Sequence, residues 1–359
     1  MSMIDSFIHQ QLAARVVFGP GVLRTLAAEA ALLGASHALV LTTPEQSGLG
    51  TTAAGLLGGG CAGTYNGAAM HVPAATVTEA LRLAAASNAD CLVAIGGGST
   101  IGLAKAMALG ASLPIIAIPT TYAGSEVTPV YGITRDGAKT TGRDLRVLPR
   151  TVIYDVELTL SLPLPISVAS GVNAMAHAAE GLYAPHVSPV TARLAEDGIR
   201  AMAQGLTALS ADPQDVAARS LCQYGAWLCG SVLGTTEMGL HHKLCHTLGG
   251  LFGLPHAQMH TVLLPHVLAY NAPAAPAAMR RIAQALGAGS DPAHALPALR
   301  DFLRRVNADT ALSALGMPEA GLDMAAEAAL RTPYPNPRPY DIAAVRAVLA
   351  RAYSGHPFS

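Results

Sequence analysis

Apolar and polar positions divide the chain into two regimes. Over residues 1–160, short apolar runs alternate with stretches of helical period. HALVLTT (37–43), CLVAIGGGST (91–100), PIIAIPTT (114–121) and TVIYD (151–155) predict buried strands. Residues 45–57, 74–88 (opened by Pro73) and 101–110 predict helices between them. Strands alternating with helices imply a mainly parallel sheet covered on both faces. Within this part, residues 130–143 predict a β-hairpin turning at Asp136-Gly137. From residue 161 onward the pattern is Ala-rich with Leu or Met at helical spacing: 165–184, 189–209, 213–234, 237–249, 258–270, 276–287, 293–306 and 341–353. The fold expected is an α/β domain over 1–160 and an all-helical domain over 161–359, hinged at the prolines of SLPLPIS (161–167), with a cleft between them.

Composition narrows the function classes. Hydrophobic residues make up 51% of the 359 and charged ones 13%, the opposite of a disordered chain. A net charge of −1 without basic runs argues against nucleic acid as a partner. The apolar stretches around 91–118 and 251–270 are interrupted by Lys105, Pro114, Pro255, His256 and His260, so no membrane span is expected. The start of the chain shows no basic segment followed by an apolar one, so no signal peptide is expected either. Cys61, Cys91, Cys222, Cys229 and Cys245 are odd in number and form no CxxC, which suits a reducing cytoplasm. Only Lys105, Lys139 and Lys243 are lysines among 22 basic residues, so each either answers a local need or survives a compositional bias.

Three segments carry candidate chemistry. Gly96-Gly97-Gly98-Ser99 stands where a strand hands over to a helix, which suits either a phosphate site or a plain glycine turn. Ile101 stands where the last glycine of GxGxxG would fall, so the ordinary dinucleotide fingerprint is absent. Thr120, Thr121 and Tyr122, in PTTYAGSE (119–126), end the next strand and line either a crevice or a capped turn. Asn173 and His177 are spaced i, i+4, as are His242 and His246, with His256 beyond and His241 and His260 nearby. Convergent imidazoles point to a metal or an oxyanion site, although a single buried histidine is commonly structural.

GGGST (96–100), PTTYAGSE, N-A-M-A-H (173–177) and H-x3-H-x9-H (242, 246, 256) together resemble the iron-containing alcohol dehydrogenase superfamily. RVVFGPG (15–21) and LLPHVLAYN (263–271) are in keeping. The resemblance implies an N-terminal dinucleotide-binding domain and a helical C-terminal domain. By position, Gly96, Gly97, Gly98 and Ser99 would hold a pyrophosphate, and Thr120 and Thr121 would contact nucleotide and nicotinamide. His177, His242 and His256 match three of four metal ligands, which leaves Fe2+ or Zn2+ as an option there. His246 matches a histidine beside the nicotinamide.

The departures are informative. The first ligand of the family is an aspartate, and here that position is Asn173. With HHKLCHTLGG (241–250) and KTTGRDLRVLPR (139–150), this resembles the maleylacetate reductase branch, which reduces a conjugated C=C bond to give 3-oxoadipate in aromatic-compound degradation. Metal-independent reduction is expected, with His242, His246, His177, Lys243 and Tyr122 as catalytic candidates. Asn173, His256, Lys139, Arg143 and Arg146 are candidates for contact with a small dicarboxylate. Thr43 replaces the acidic residue that selects NAD, and with no carboxylate expected there, NADH and NADPH should both serve. A homodimer is the expected assembly. The alternatives are a metal-dependent alcohol dehydrogenase of the same superfamily and a lyase that recycles its nicotinamide.

Overall fold

The computed structural model describes residues 7–12, 14–135, 138–309 and 311–355. The expected turn at Asp136-Gly137 and the Lys139 side chain lie outside the described residues. The chain divides into Leu12–Leu162 and Pro163–Ser359, the latter joined by the described part of Met1–Gln11.

In the first unit, β1 (Arg15–Gly19), β2 (Ala38–Leu41), β3 (Cys61–Tyr65), β4 (Cys91–Gly96), β5 (Ile115–Pro119) and β8 (Thr151–Asp155) form one sheet of order β1-β8-β5-β4-β2-β3. Every pairing in it is parallel. β6 (Val130–Arg135) and β7 (Ala138–Arg143) form a separate antiparallel hairpin. The helices are α1 (Leu26–Leu32), α2 (Ser47–Leu57), α3 (Ala74–Ala86) and α4 (Gly98–Ala111).

Strand alternation explains the two cores. Leu39, Leu41, Leu92 and Ala94 point to one face, against Val77, Ala80, Leu103 and Met107 of α3 and α4. Val40, Val93, Ile95 and Ile116 point to the other, against Leu26, Ala30, Ala53 and Leu57 of α1 and α2. Burial on both faces is what makes the central strands continuous apolar runs. The sequence pattern misses β1 and β3, the two edge strands, because CAGTY and RVVFG are mostly half-buried and present no such run.

The second unit contains nine α-helices among the described residues: α5 (Leu164–Gly181), α6 (Pro189–Ala211), α7 (Val216–Thr235), α8 (Leu240–Phe252), α9 (His256–Asn271), α10 (Pro276–Ala285), α11 (Ala295–Arg305), α12 (Leu322–Leu330) and α13 (Ile342–Ser354). Leu244, Leu248, Met259 and Leu263 pack against Leu322, Ala326, Val345 and Leu349, which sets α8 and α9 on α12 and α13. No helix among the described residues is long and apolar enough to cross a membrane.

Candidate functional site

In the α/β unit the chain leaves β2 to one side, for β3, and returns to β4 on the other. This reversal places the loops after β2 and β4 beside each other at the carboxyl ends of the strands, where open parallel sheets bind ligands. Gly96 has φ +154°, and a Cβ there would stand 2.5 Å from Thr100 Oγ1, so the turn requires glycine. Gly97 caps α4, and nothing lies within 4 Å of a Cβ built on Gly98. Gly98, the first residue of the 14-residue helix, is exposed, which leaves the helix start accessible to a phosphate.

Neighbouring loops complete this surface. Gln46, after β2, donates from Nε2 to Thr120 Oγ1 at 2.9 Å, while the Thr120 N–H donates to the Gly96 carbonyl at 3.1 Å. Thr121 is half-buried and Tyr122 fully buried in the same loop. The fully buried Lys105 fixes the segment that follows, its ammonium donating to the carbonyls of Ser125, Thr128 and Val130 at 2.6–2.9 Å. Burial pushes Lys105 down to about 7, and the nearby Glu126 opposes that shift. Thr43, just after β2, is half-buried. Two residues on, Glu45 is exposed and held below its ordinary pKa by its own N–H and by the Thr43 hydroxyl. These features fit a dinucleotide. Arg143 is exposed on β7, and Arg146 is engaged with Asp144 and the Leu109 carbonyl.

In the helical unit, α5, α8 and α9 bring six histidines together. Asn173, His177 and Glu180 share one face of α5 at i, i+4 and i+7. His177 Nδ1 stands 2.8 Å from His242 Nε2, and His242 Nδ1 stands 2.5 Å from Glu180 Oε2. Asn173 Nδ2 reaches His177 Nε2 at 3.5 Å, the outer limit of a hydrogen bond. Behind them His241 Nε2 meets His260 Nδ1 at 2.9 Å. Burial pushes His241 down to about 3 and His260 well below its ordinary range, so both are neutral. His256 opens α9, exposed, with its ring 4.5 Å from that of His260 and 6.5 Å from that of His246.

Glu180 is buried in the centre of this cluster. Burial alone would raise its pKa, but the hydrogen bond to the His242 ring and a backbone bond from Gly239 hold it low. Sequence reasoning overlooked Glu180, whose i+7 spacing from Asn173 gains meaning only once α8 is set against it. It also overlooked the strap over 332–340, where prolines alternate at 333, 335, 337 and 339. Asn336 bonds Asn271 on α9 at 2.7 and 2.9 Å, which anchors the strap. Thr332 and Tyr334 are then set over α8: Lys243 Nζ donates to Thr332 Oγ1 at 2.8 Å and lies 5.4 Å above the Tyr334 ring. The Tyr334 hydroxyl stands 3.2 Å from His246 Nδ1. Lys243 is 9% exposed and forms no ion pair among the described residues.

The metal expected from resemblance can be tested against these donors. The ligand atoms of His177, His242 and His260 lie within 4.8 Å of one another, whereas the expected set placed His256 where His260 stands. His256 sits one turn nearer the start of α9 and is exposed. His260 Nε2 is buried without a hydrogen-bond partner. Three imidazole nitrogens suit Fe2+ or Zn2+. Two nitrogens on one tetrahedral ion stand about 3.3 Å apart at Zn–N distances of about 2.0–2.1 Å. An ion bound through His177 Nδ1 and His242 Nε2 would take the lone pairs of both and so replace their hydrogen bond.

The profile described as iron-containing alcohol dehydrogenase matches residues 13–156, and the Fe-containing alcohol dehydrogenase family, C-terminal, matches 167–353. A maleylacetate reductase of Burkholderia cepacia is 55% identical over 98% of this chain and 99% of its own length. The crystal structure of maleylacetate reductase from Agrobacterium tumefaciens superposes with a TM-score of 0.93 at 48% identity, covering 99% of this chain and 100% of that one. An iron-containing alcohol dehydrogenase from Corynebacterium glutamicum gives a TM-score of 0.93 at 43% identity, over 98% of both chains. This chain belongs to the iron-containing alcohol dehydrogenase family, on its maleylacetate reductase branch.

Proposed function

We propose that this protein uses NADH or NADPH to reduce the conjugated C=C bond of maleylacetate to 3-oxoadipate, in the cytoplasm, without a required metal. The observation that carries the reading is Lys243, a buried cation without an anionic partner among the described residues. Burying an unpaired charge is costly, and a substrate carboxylate would relieve that cost. A dicarboxylate fits such a site better than a simple alcohol or aldehyde does.

The bound nicotinamide supplies hydride to the alkene carbon remote from the ketone, and a divalent ion, if held by His177, His242 and His260, would supply Lewis-acid polarisation of the ketone oxygen. The protein then has two tasks. Hydride addition moves charge onto the ketone oxygen as an enolate, which N–H groups of the cluster other than those facing Glu180 and His242 stabilise. A proton must then reach the adjacent carbon, and His246 is the candidate donor: it is half-buried and its other nitrogen is oriented by Tyr334. Conjugation spreads the charge, so hydrogen-bond donors suffice where an isolated carbonyl benefits from a metal. Asn173 supports this reading, since its amide can donate to His177 where a carboxylate could only accept.

The test is NADH oxidation on maleylacetate and on simple aldehydes, each with and without EDTA. Turnover of maleylacetate that survives EDTA is expected. Loss of that turnover in EDTA with return on Fe2+ or Zn2+, or a preference for aldehydes, would instead establish the metal-dependent alcohol dehydrogenase. Absence of net NADH consumption would indicate the lyase.

A further inference from the structure

We propose that Glu180 is a positioning residue whose carboxylate fixes the direction of the hydrogen bonds running from Asn173 through His177 to His242. The reason lies in how the carboxylate is held. Gly239, before α8, has no side chain with which to cap the helix, and Glu180 on α5 takes over that role. Its Oε1 accepts the His241 N–H at 2.8 Å and its Oε2 accepts the His242 N–H at 3.3 Å. The helix N-terminus favours an anion there, and both oxygens act as acceptors. A Cβ on residue 239 would stand 2.9 Å from Glu180 Oε1 and 2.8 Å from the Pro335 carbonyl, so the close approach needs glycine.

A carboxylate pinned in this way can only accept from the His242 ring. His242 Nδ1 must carry the hydrogen, and in the neutral ring Nε2 is then an acceptor. His177 Nδ1 must then donate across the 2.8 Å contact, which leaves His177 Nε2 as the acceptor facing the Asn173 amide. Each donor thus points towards Glu180, and two ring tautomers follow from one carboxylate. An imidazole ring held in one tautomer presents the same nitrogen at every turnover, which is what a third group does for a catalytic histidine elsewhere. The consequence for turnover rests on the proposed reduction, but the tautomers do not.

Two-bond 1H–15N spectra of 15N-histidine-labelled wild-type protein read the tautomers directly, and Glu180→Gln and Glu180→Asp test their origin. We expect Nδ1–H on both His242 and His177 in the wild type. In Glu180→Gln the amide oxygen stays with the His241 N–H and the NH2 group faces His242, so the proton should move to His242 Nε2. The kcat on maleylacetate should then fall about 10–100-fold, the usual effect of losing a carboxylate behind a functional histidine, with the KM for NADH unchanged. Glu180→Asp, which keeps an acceptor, should keep the wild-type tautomer and recover part of kcat. Nε2–H on His242 in the wild type overturns the proposal even if no variant folds. A flipped tautomer with unchanged kcat also overturns it. Wild-type protein inactive on maleylacetate would refute the substrate reading, and the spectra would still decide the tautomers.

Discussion

Lys243 and His246 lie three residues apart on α8 and share Tyr334 as a neighbour, one over its ring and the other at its hydroxyl. Their expected contributions differ because one is a charge and the other a proton-carrying ring. Removing a charged hydrogen-bond partner costs about 1.5–3 kcal/mol, so Lys243→Ala should raise the KM for maleylacetate roughly 10- to 100-fold and leave kcat close to wild type. His246→Ala removes the proposed proton donor and should lower kcat about 10²–10⁴-fold. Steady-state kinetics on both variants separates these outcomes. Wild-type kcat in His246→Ala would remove it from the chemistry, and an unchanged KM in Lys243→Ala would remove the carboxylate contact. The histidines were legible from spacing, since i, i+4 pairs share a helix face. Glu180 was not, because a lone Glu on an Ala-rich helix reads as a solvated charge until a second helix start is placed against it. Tyr334 was hidden for a related reason: 88 residues separate it from His246, and only the anchored strap brings it back.

At the scale of elements, the loops after β2, β4 and β5 come together because their strands are neighbours in the sheet, and they make the surface proposed for the nucleotide. Sequence pattern located the central strands well, since burial on both faces leaves an unmistakable apolar run. It could not supply strand order, and so could not show that Gln46 reaches Thr120. The loop after β2 also shows how a position-by-position comparison misleads. Thr43 stands where an acidic selector is expected, yet its hydroxyl holds the carboxylate of Glu45 two residues further on. A negative charge therefore remains in this loop, available to repel a ribose 2′-phosphate. Glu45→Gln should raise kcat/KM for NADPH relative to NADH severalfold, measured with maleylacetate saturating. An unchanged ratio would show that Glu45 does not face the ribose. A raised ratio would show that the enzyme, while using both cofactors, leans towards NADH.

At the scale of the whole molecule, each unit has a core of its own, and the change from alternating to all-helical pattern near residue 161 was visible in the sequence. Less visible was how much imidazole the helical core carries in neutral form. His266 on α9 is 5% exposed, and burial together with the charge of Arg351 pushes its pKa down to about 4. In the unfolded chain a histidine takes up its proton near 6.5. Between about 6.5 and 4 the unfolded state therefore binds a proton that the folded state does not, so stability falls as the pH falls through that window and levels off below it. With 1.36 kcal/mol per pKa unit, the contribution of His266 to that loss is about 2 kcal/mol at pH 5. His241, held down to about 3, acts in the same direction and extends the window further into acid. Urea unfolding at pH 7.5, 6 and 5 should show steadily falling stability in the wild type. His266→Leu, which cannot take up a proton in either state, should show a shallower decline by about one proton's worth over the same range. Parallel declines in the two proteins would mean that His266 titrates alike in the folded and unfolded chain. The acid sensitivity would then belong to the histidines around Glu180, which would tie the stability of the helical unit to the same groups proposed to carry its chemistry.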